Sequence, residues 1–242
     1  MVRSFRPSNI HEKHCEISTE WLKLCGLDVP SSSVLVTNGA TPALTIALLT
    51  AAQNGNTLIV EDITYHTIIP LARYLGINIV SIGMDDSGAL PEAFDEACCC
   101  HDSCAIYLAP NGENSWEYIM PSERRRQIID VARKHDVYII ENGVLGPLLE
   151  TGLTPLASLA PERTFYASRF TKCVMPRLRT GYLVAPDSTM PSALNRHLIL
   201  NWMASPINAE ISSRWIASGL LEMCVDLGEM VKGASHSRCA QC

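Results

Sequence analysis

Apolar positions along this chain keep switching between a helical spacing and short continuous runs. Ile17, Trp21, Leu22 and Leu24 recur at helical intervals within 11–24, and Gly26 supplies a stop. Residues 34–36 predict a short strand, 43–52 a helix with Pro42 in its first turn, and 57–60 a buried strand. A helix over 68–75, a strand over 77–82, a turn at 85–88 and a helix over 91–98 follow. Strand 105–108, helix 121–134 and strand 137–140 continue the alternation, then strands 164–167 and 181–184, then helical stretches 195–203 and 209–223. Alternation of this kind, without an internal repeat, predicts an α/β fold.

Polar groups collect where these strands end. Thr37, Asn38, Gly39, Ala40, Thr41 and Pro42 link a strand to a helix, so free backbone N–H groups and the positive end of a helix dipole meet there. The turn reads either as a phosphate seat or as an ordinary strand-to-helix connection. Tyr65 falls just past a strand's carboxyl end, where open α/β sheets collect ligands, and reads as a stacking ring or as cover for the core rim. Asn114 lies in a polar loop after strand 105–108, and Glu141 and Asn142 close strand 137–140. Lys172 stands on a polar link between two apolar strands, where desolvation lowers an ammonium pKa and prepares a nucleophile toward aldehydes. Arg179, seven positions on, reads as a phosphate clamp or as a surface ion pair.

Composition narrows the function classes. The 242 residues suffice for one large α/β domain or two small ones, with a substantial core. A net charge of -6 argues against general affinity for nucleic acid or anionic membrane, and Arg124, Arg125 and Arg126, flanked by Glu123 and Asp130, read as a solvated helix face. No run is long enough to span a bilayer, and the first residues lack the apolar core of a signal peptide, so a cytoplasmic, mostly reduced protein is expected despite ten cysteines. The Cys98 to Cys104 cluster reads as a helix end and loop, because three consecutive cysteines cannot all face one ion; no metal is expected. The C-terminal residues are polar, aperiodic and expected to fray.

Taken in order, these strand-end features resemble the large domain of the fold-type I pyridoxal-phosphate enzymes, the class I/II aminotransferases, and in particular the aminotransferase-like domain of MocR-type regulators in the GntR superfamily. Stretches 34–40, 59–65, 138–141 and 156–164 carry the resemblance, as do Phe170, Thr171 and Lys172 with Pro176, Arg179 and residues 181–186, then Trp202, Met203, Arg214, Trp215 and Ile216. The resemblance implies a three-layer α/β/α domain with a mainly parallel sheet over 31–232, preceded by a helical segment over 1–30 and followed by an irregular tail over 233–242. It implies that pyridoxal 5'-phosphate is held as an aldimine on Lys172, which then shuttles protons. Arg179, Ala40 and Thr41 would hold the cofactor phosphate, Tyr65 would lie against the pyridine, and Asn114 would meet the phenolic oxygen. It also implies a homodimer and an amino-acid or amine substrate or effector.

Departures from the family pattern bear on activity. Where the family places an aspartate against the pyridine nitrogen this chain has Asn142, which brings no negative charge and weakens the ring as an electron sink. Glu141 cannot substitute, because neighbouring strand residues face opposite ways. Leu145 replaces a tyrosine, Ser115, Trp116 and Glu117 replace a Pro-Thr-Gly run, and Arg169 stands where a phosphate-binding serine is usual. The family's small carboxyl-terminal domain and the regulators' winged helix-turn-helix are expected to be missing. Three readings follow: a transaminase acting on amino acids, a regulator-derived domain that binds or senses pyridoxal phosphate without efficient turnover, and an inactive fragment. The residues favour cofactor binding over turnover.

Overall fold

The computed structural model describes residues 8–112, 118–144, 152–169 and 178–219. Its main strands are β1 (Val34–Thr37), β2 (Thr57–Glu61), β3 (Asn78–Ile82), β6 (Ser103–Leu108), β7 (Tyr138–Asn142), β8 (Thr164–Arg169) and β9 (Gly181–Val184), and β4 (Met84–Asp85) with β5 (Gly88–Ala89) forms a small hairpin at the expected turn. The helices are α1 (Ser8–Leu24), α2 (Ala40–Ala51), α3 (Ile68–Tyr74), α4 (Pro91–Cys100), α5 (Ser122–Lys134), α6 (Leu156–Leu159), α7 (Met190–Asn201) and α8 (Pro206–Ala217).

Seven strands form one sheet in the order β1-β9-β8-β7-β6-β2-β3. Pairing is parallel from β8 through β7, β6 and β2 to β3, whereas β9 runs antiparallel to both of its neighbours. Helices cover both faces, which is why the strands are apolar at nearly every position. Leu58 and Val60 enter the core shared with α2, α3 and α7, while Ile59 between them enters the core under α4 and α5. A third cluster packs α1 and α8 over Val34, Val36, Tyr166 and Tyr182. This is the expected three-layer α/β/α arrangement with a mainly parallel sheet.

Several boundaries differ from the sequence reading. Helix α2 begins at Ala40, three residues before its apolar run, so Thr41 and Pro42 lie inside its first turn. Helix α7 begins at Met190 rather than 195, with Pro191 in the first turn, where a missing N–H leaves no bond unmade. Helix α8 ends at Ala217, Gly219 (φ 70°) follows in the left-handed region, and residues 220–223 of the expected helical stretch lie outside the described residues. The three arginines are not a single solvated face. Arg126 is exposed and Arg124 pairs with Asp85, but the side chain of Arg125 is only 1% exposed. Helical spacing puts Arg125 on the stripe of Ile128, Ile129 and Ala132, which faces the core.

Candidate functional site

Because the sheet is mainly parallel, the carboxyl ends of β1, β2, β6, β7 and β8 and the start of β9 share one edge. The chain runs from β2 outward to β3 and then returns to β6 on the other side of β2, so a crevice opens between β2 and β6. Tyr65 follows β2 and the 109–112 loop follows β6 on either side of that switch point. Tyr65 is half-buried, packs on the α2-side core and meets the His66 ring edge-on at 4.7 Å.

The βα turn after β1 brings a helix start and a guanidinium together. Gly39, at φ 99° and ψ 177°, caps α2, and among the described residues no side chain bonds the helix's first N–H groups. The Arg179 guanidinium lies over it: a Cβ built on Gly39 would stand 3.5 Å from one Nη and 3.6 Å from Cζ. Thr37 braces the turn by donating its hydroxyl to the Gly39 carbonyl at 2.9 Å, and Asn38 accepts the Ser205 N–H at 2.8 Å. Gly181 packs its backbone against that of Gly39, and a Cβ there would come within 2.6 Å of the Gly39 carbonyl carbon. Arg179 itself adopts φ 52°, a conformation that costs a non-glycine residue about 1 kcal/mol or more and persists where surroundings over-determine it.

A second arginine reaches the same edge. Register pairs Arg169 with Gly181 and Gly181 with Thr37, so the three span adjacent strands beside the turn. Alternation along β8 sends Ala167 to the α2 side and Ser168 to the opposite side, where its hydroxyl accepts the Trp21 indole N–H at 3.1 Å. Arg169 therefore returns to the α2 side, and its Nε is buried without a hydrogen-bond partner among the described residues. Among those residues no carboxylate pairs with Arg169 or Arg179. Two unpaired guanidinium groups beside an uncapped helix start suit a phosphate dianion. Ala40 and Thr41, which the sequence reading puts in the turn before the helix, lie in the helix's own first turn.

At the other end of the crevice, Asn142 is held by its neighbours. Its Nδ2 donates to the Tyr107 hydroxyl at 2.7 Å, and its Oδ1 accepts the Val144 N–H at 3.3 Å. The backbone N–H can only donate, so it fixes which end of the amide is oxygen and makes Nδ2 the end that donates to Tyr107. Glu141 points to the opposite face. Its carboxylate accepts the Leu156 and Ala157 N–H groups at 3.2 and 2.8 Å and lies 3.9 Å from the Arg125 guanidinium. Burial pushes the Glu141 carboxyl up to about 7, against the opposing pull of those N–H groups and of Arg125.

Lys172, Asn114 and Leu145 lie outside the described residues. Arg169, which the resemblance puts at a phosphate-binding position where its charge could serve the anion, lies on this edge. Tyr107 is the side chain of this edge that the sequence reading does not single out, because its bond to Asn142 depends on cross-strand register.

No family model matches the chain. Among curated proteins it is 27% identical over 201 residues to an uncharacterised HTH-type transcriptional regulator, YdeF, of Bacillus subtilis, covering 83% of this chain and 44% of that protein. It is 27% identical over 208 residues to the HTH-type pyridoxine biosynthesis transcriptional regulator PdxR of Corynebacterium glutamicum, covering 85% and 45%. An aromatic amino acid aminotransferase of Schizosaccharomyces pombe is 29% identical over 178 residues, covering 62% and 37%. The chain thus spans less than half the length of these relatives. Among solved structures, an archaeal alanine:glyoxylate aminotransferase superposes with a TM-score of 0.80 at 22% identity, covering 90% of this chain and 56% of that one. The α-aminoadipate aminotransferase LysN of Thermus thermophilus, complexed with N-(5'-phosphopyridoxyl)-L-leucine, superposes with a TM-score of 0.82 at 18% identity, covering 94% and 59%.

Proposed function

Starting from a chain with the large-domain fold of the fold-type I aminotransferases, related in sequence to HTH-type regulators and aromatic amino acid aminotransferases, we propose that this protein binds pyridoxal phosphate and serves as a cofactor-binding or sensing domain with little turnover. The observation that carries the reading is the anion seat: Gly39, Ala40 and Thr41 at an uncapped helix start, with Arg179 over Gly39 and Arg169 beside it. These residues would hold the phosphate, Tyr65 would flank the ring, Asn142 would meet the ring nitrogen, and Lys172 would anchor the aldehyde carbon. When bound, the cofactor supplies an aldehyde for amine capture and a ring that withdraws electrons. Homodimeric assembly and an amino-acid or amine effector belong to the same reading.

Titration of the purified protein with pyridoxal phosphate tests it. A visible absorption band should saturate at one equivalent, and borohydride should then fix the cofactor mass on the peptide that contains Lys172. Lys172→Ala should abolish the band. Arg179→Gln should weaken binding by about 10- to 100-fold, since a hydrogen bond to a charged group contributes roughly 1.5–3 kcal/mol. A protein that gives no band at saturating cofactor sinks the reading.

The case for weak turnover rests on Asn142. A donor amide suits a neutral pyridine nitrogen, and Glu141 does not replace the aspartate of the family pattern, because it is committed to Leu156, Ala157 and Arg125 on the other face. A charge-assisted hydrogen bond is worth roughly 1–1.5 kcal/mol more than a neutral one, so Asn142→Asp should raise single-turnover amino-group transfer by about tenfold. Rapid transfer by the unmodified protein across a panel of amino acids would favour the transaminase reading instead.

A further inference from the structure

The opposite edge of the sheet carries a separate cluster of ligand-type side chains. Asp95 and Cys99 stand one turn apart on α4, so both project from the same face of the helix. His135, the residue after α5, meets them there. One ligand atom from each of Asp95, Cys99 and His135 lies within 4.8 Å of the others, and the His135 Nε2 is 2.6 Å from the Asp95 Oδ1. His135 also lines a cleft of about 520 Å³ with Cys98, His101 and Asp102, which leaves room for water beside the cluster.

We propose that Asp95, Cys99 and His135 form a binding site for a divalent ion of the zinc class, with water completing a four-coordinate shell. A thiolate, an imidazole and a carboxylate are the donor set that such an ion selects over magnesium or calcium, which prefer oxygen alone. Bonds of about 2.3 Å to sulfur and about 2.0–2.2 Å to nitrogen and oxygen put tetrahedral ligands roughly 3.3–3.8 Å apart. Binding needs Cys99 to close by up to about 1 Å and the 2.6 Å His135–Asp95 contact to open by about 0.7 Å, movements within reach of an exposed cysteine and a half-exposed aspartate. Lys134 is the competitor: its ammonium holds both Asp95 oxygens at 2.7 and 2.9 Å and must swing away. The site is independent of the cofactor seat, since it lies beyond the amino ends of β6 and β7.

Cobalt(II) is the probe. The full chain, reduced and stripped with chelator, is titrated with Co²⁺ and followed for the thiolate-to-metal charge-transfer band and the visible bands of tetrahedral cobalt. One equivalent should saturate both, and zinc should displace it. Cys99→Ser should remove the charge-transfer band, and His135→Ala or Asp95→Asn should weaken binding at least about tenfold, the lower end of what even outer-shell losses cost. Lys134→Met should tighten binding by removing the competing cation. Cys99 and Lys134 are exposed, so those two variants test the site without disturbing the core. Absence of the bands in the unmodified protein, or a charge-transfer band that survives in Cys99→Ser and so comes from other cysteines, overturns the proposal.

Discussion

Gly181→Ala should lower the unfolding midpoint and the affinity for pyridoxal phosphate together. A Cβ at this position would stand 2.6 Å from the Gly39 carbonyl carbon, 2.8 Å from its Cα and 2.9 Å from its oxygen. All three are backbone atoms, so no side chain can swing aside. Strand β9 is held between β1 and β8 on both edges and cannot retreat within the sheet. The strain must move the βα turn away from Arg179, at a cost near the upper end of the roughly 1–3 kcal/mol that overpacking exacts. A displaced helix start no longer shares its anion with Arg179, and cofactor affinity should fall at least about tenfold, or ~1.4 kcal/mol. Urea unfolding and cofactor titration on one preparation check both effects. Unchanged midpoint and affinity would mean that the Gly39–Gly181 contact is looser than this geometry.

The second large effect is expected at Arg125. Its guanidinium donates to the carbonyls of Met120, Thr154 and Pro110 and to the Asn111 Oδ1, the last at 2.6 Å, and faces Glu141. Arg125→Met strands these acceptors and leaves Glu141 buried without its cation, which costs about 3–5 kcal/mol out of a total stability of roughly 5–15 kcal/mol.

The effect depends on pH in a defined direction. The Glu141 carboxyl is raised to about 7 by burial, so between its ordinary value and about 7 the folded protein holds a proton that the unfolded chain has lost. Stability therefore falls as pH climbs through that window. Without Arg125, which opposes the rise, the carboxyl shifts further up and the loss continues above it. The gap between Arg125→Met and the unmodified protein should be wider at ~pH 8.5 than at ~pH 5.5, and pairing the change with Glu141→Gln should remove that pH dependence. An equal gap at both pH values would show that the two side chains are not coupled.

Much of the turn proposed to hold the cofactor phosphate could be read from local patterns. The strand, the Thr37 to Pro42 turn and the helix after it are consecutive in sequence, so their geometry follows from a change of apolar period and from Gly39 and Pro42 alone. Arg125 departs from the solvated face that its run of three arginines implies, because helical spacing to Ile128, Ile129 and Ala132 puts it on the inner face. Glu141 and Asn142 were separated correctly by strand alternation: one is now tied to α6 and Arg125, the other to Tyr107.

By itself, then, the sequence determined the α/β class, the succession of elements and which residues stand at the carboxyl ends of strands, since each of these depends on spacings within one element. Only the tertiary structure decided how the Arg179 guanidinium lies over Gly39, that Tyr107 holds Asn142, and that α4 and α5 bring Asp95, Cys99 and His135 together. Apart from Asp95 and Cys99, one turn apart on α4, those neighbours come from separate elements, and strand order, register and helix packing, which no local period encodes, place them side by side.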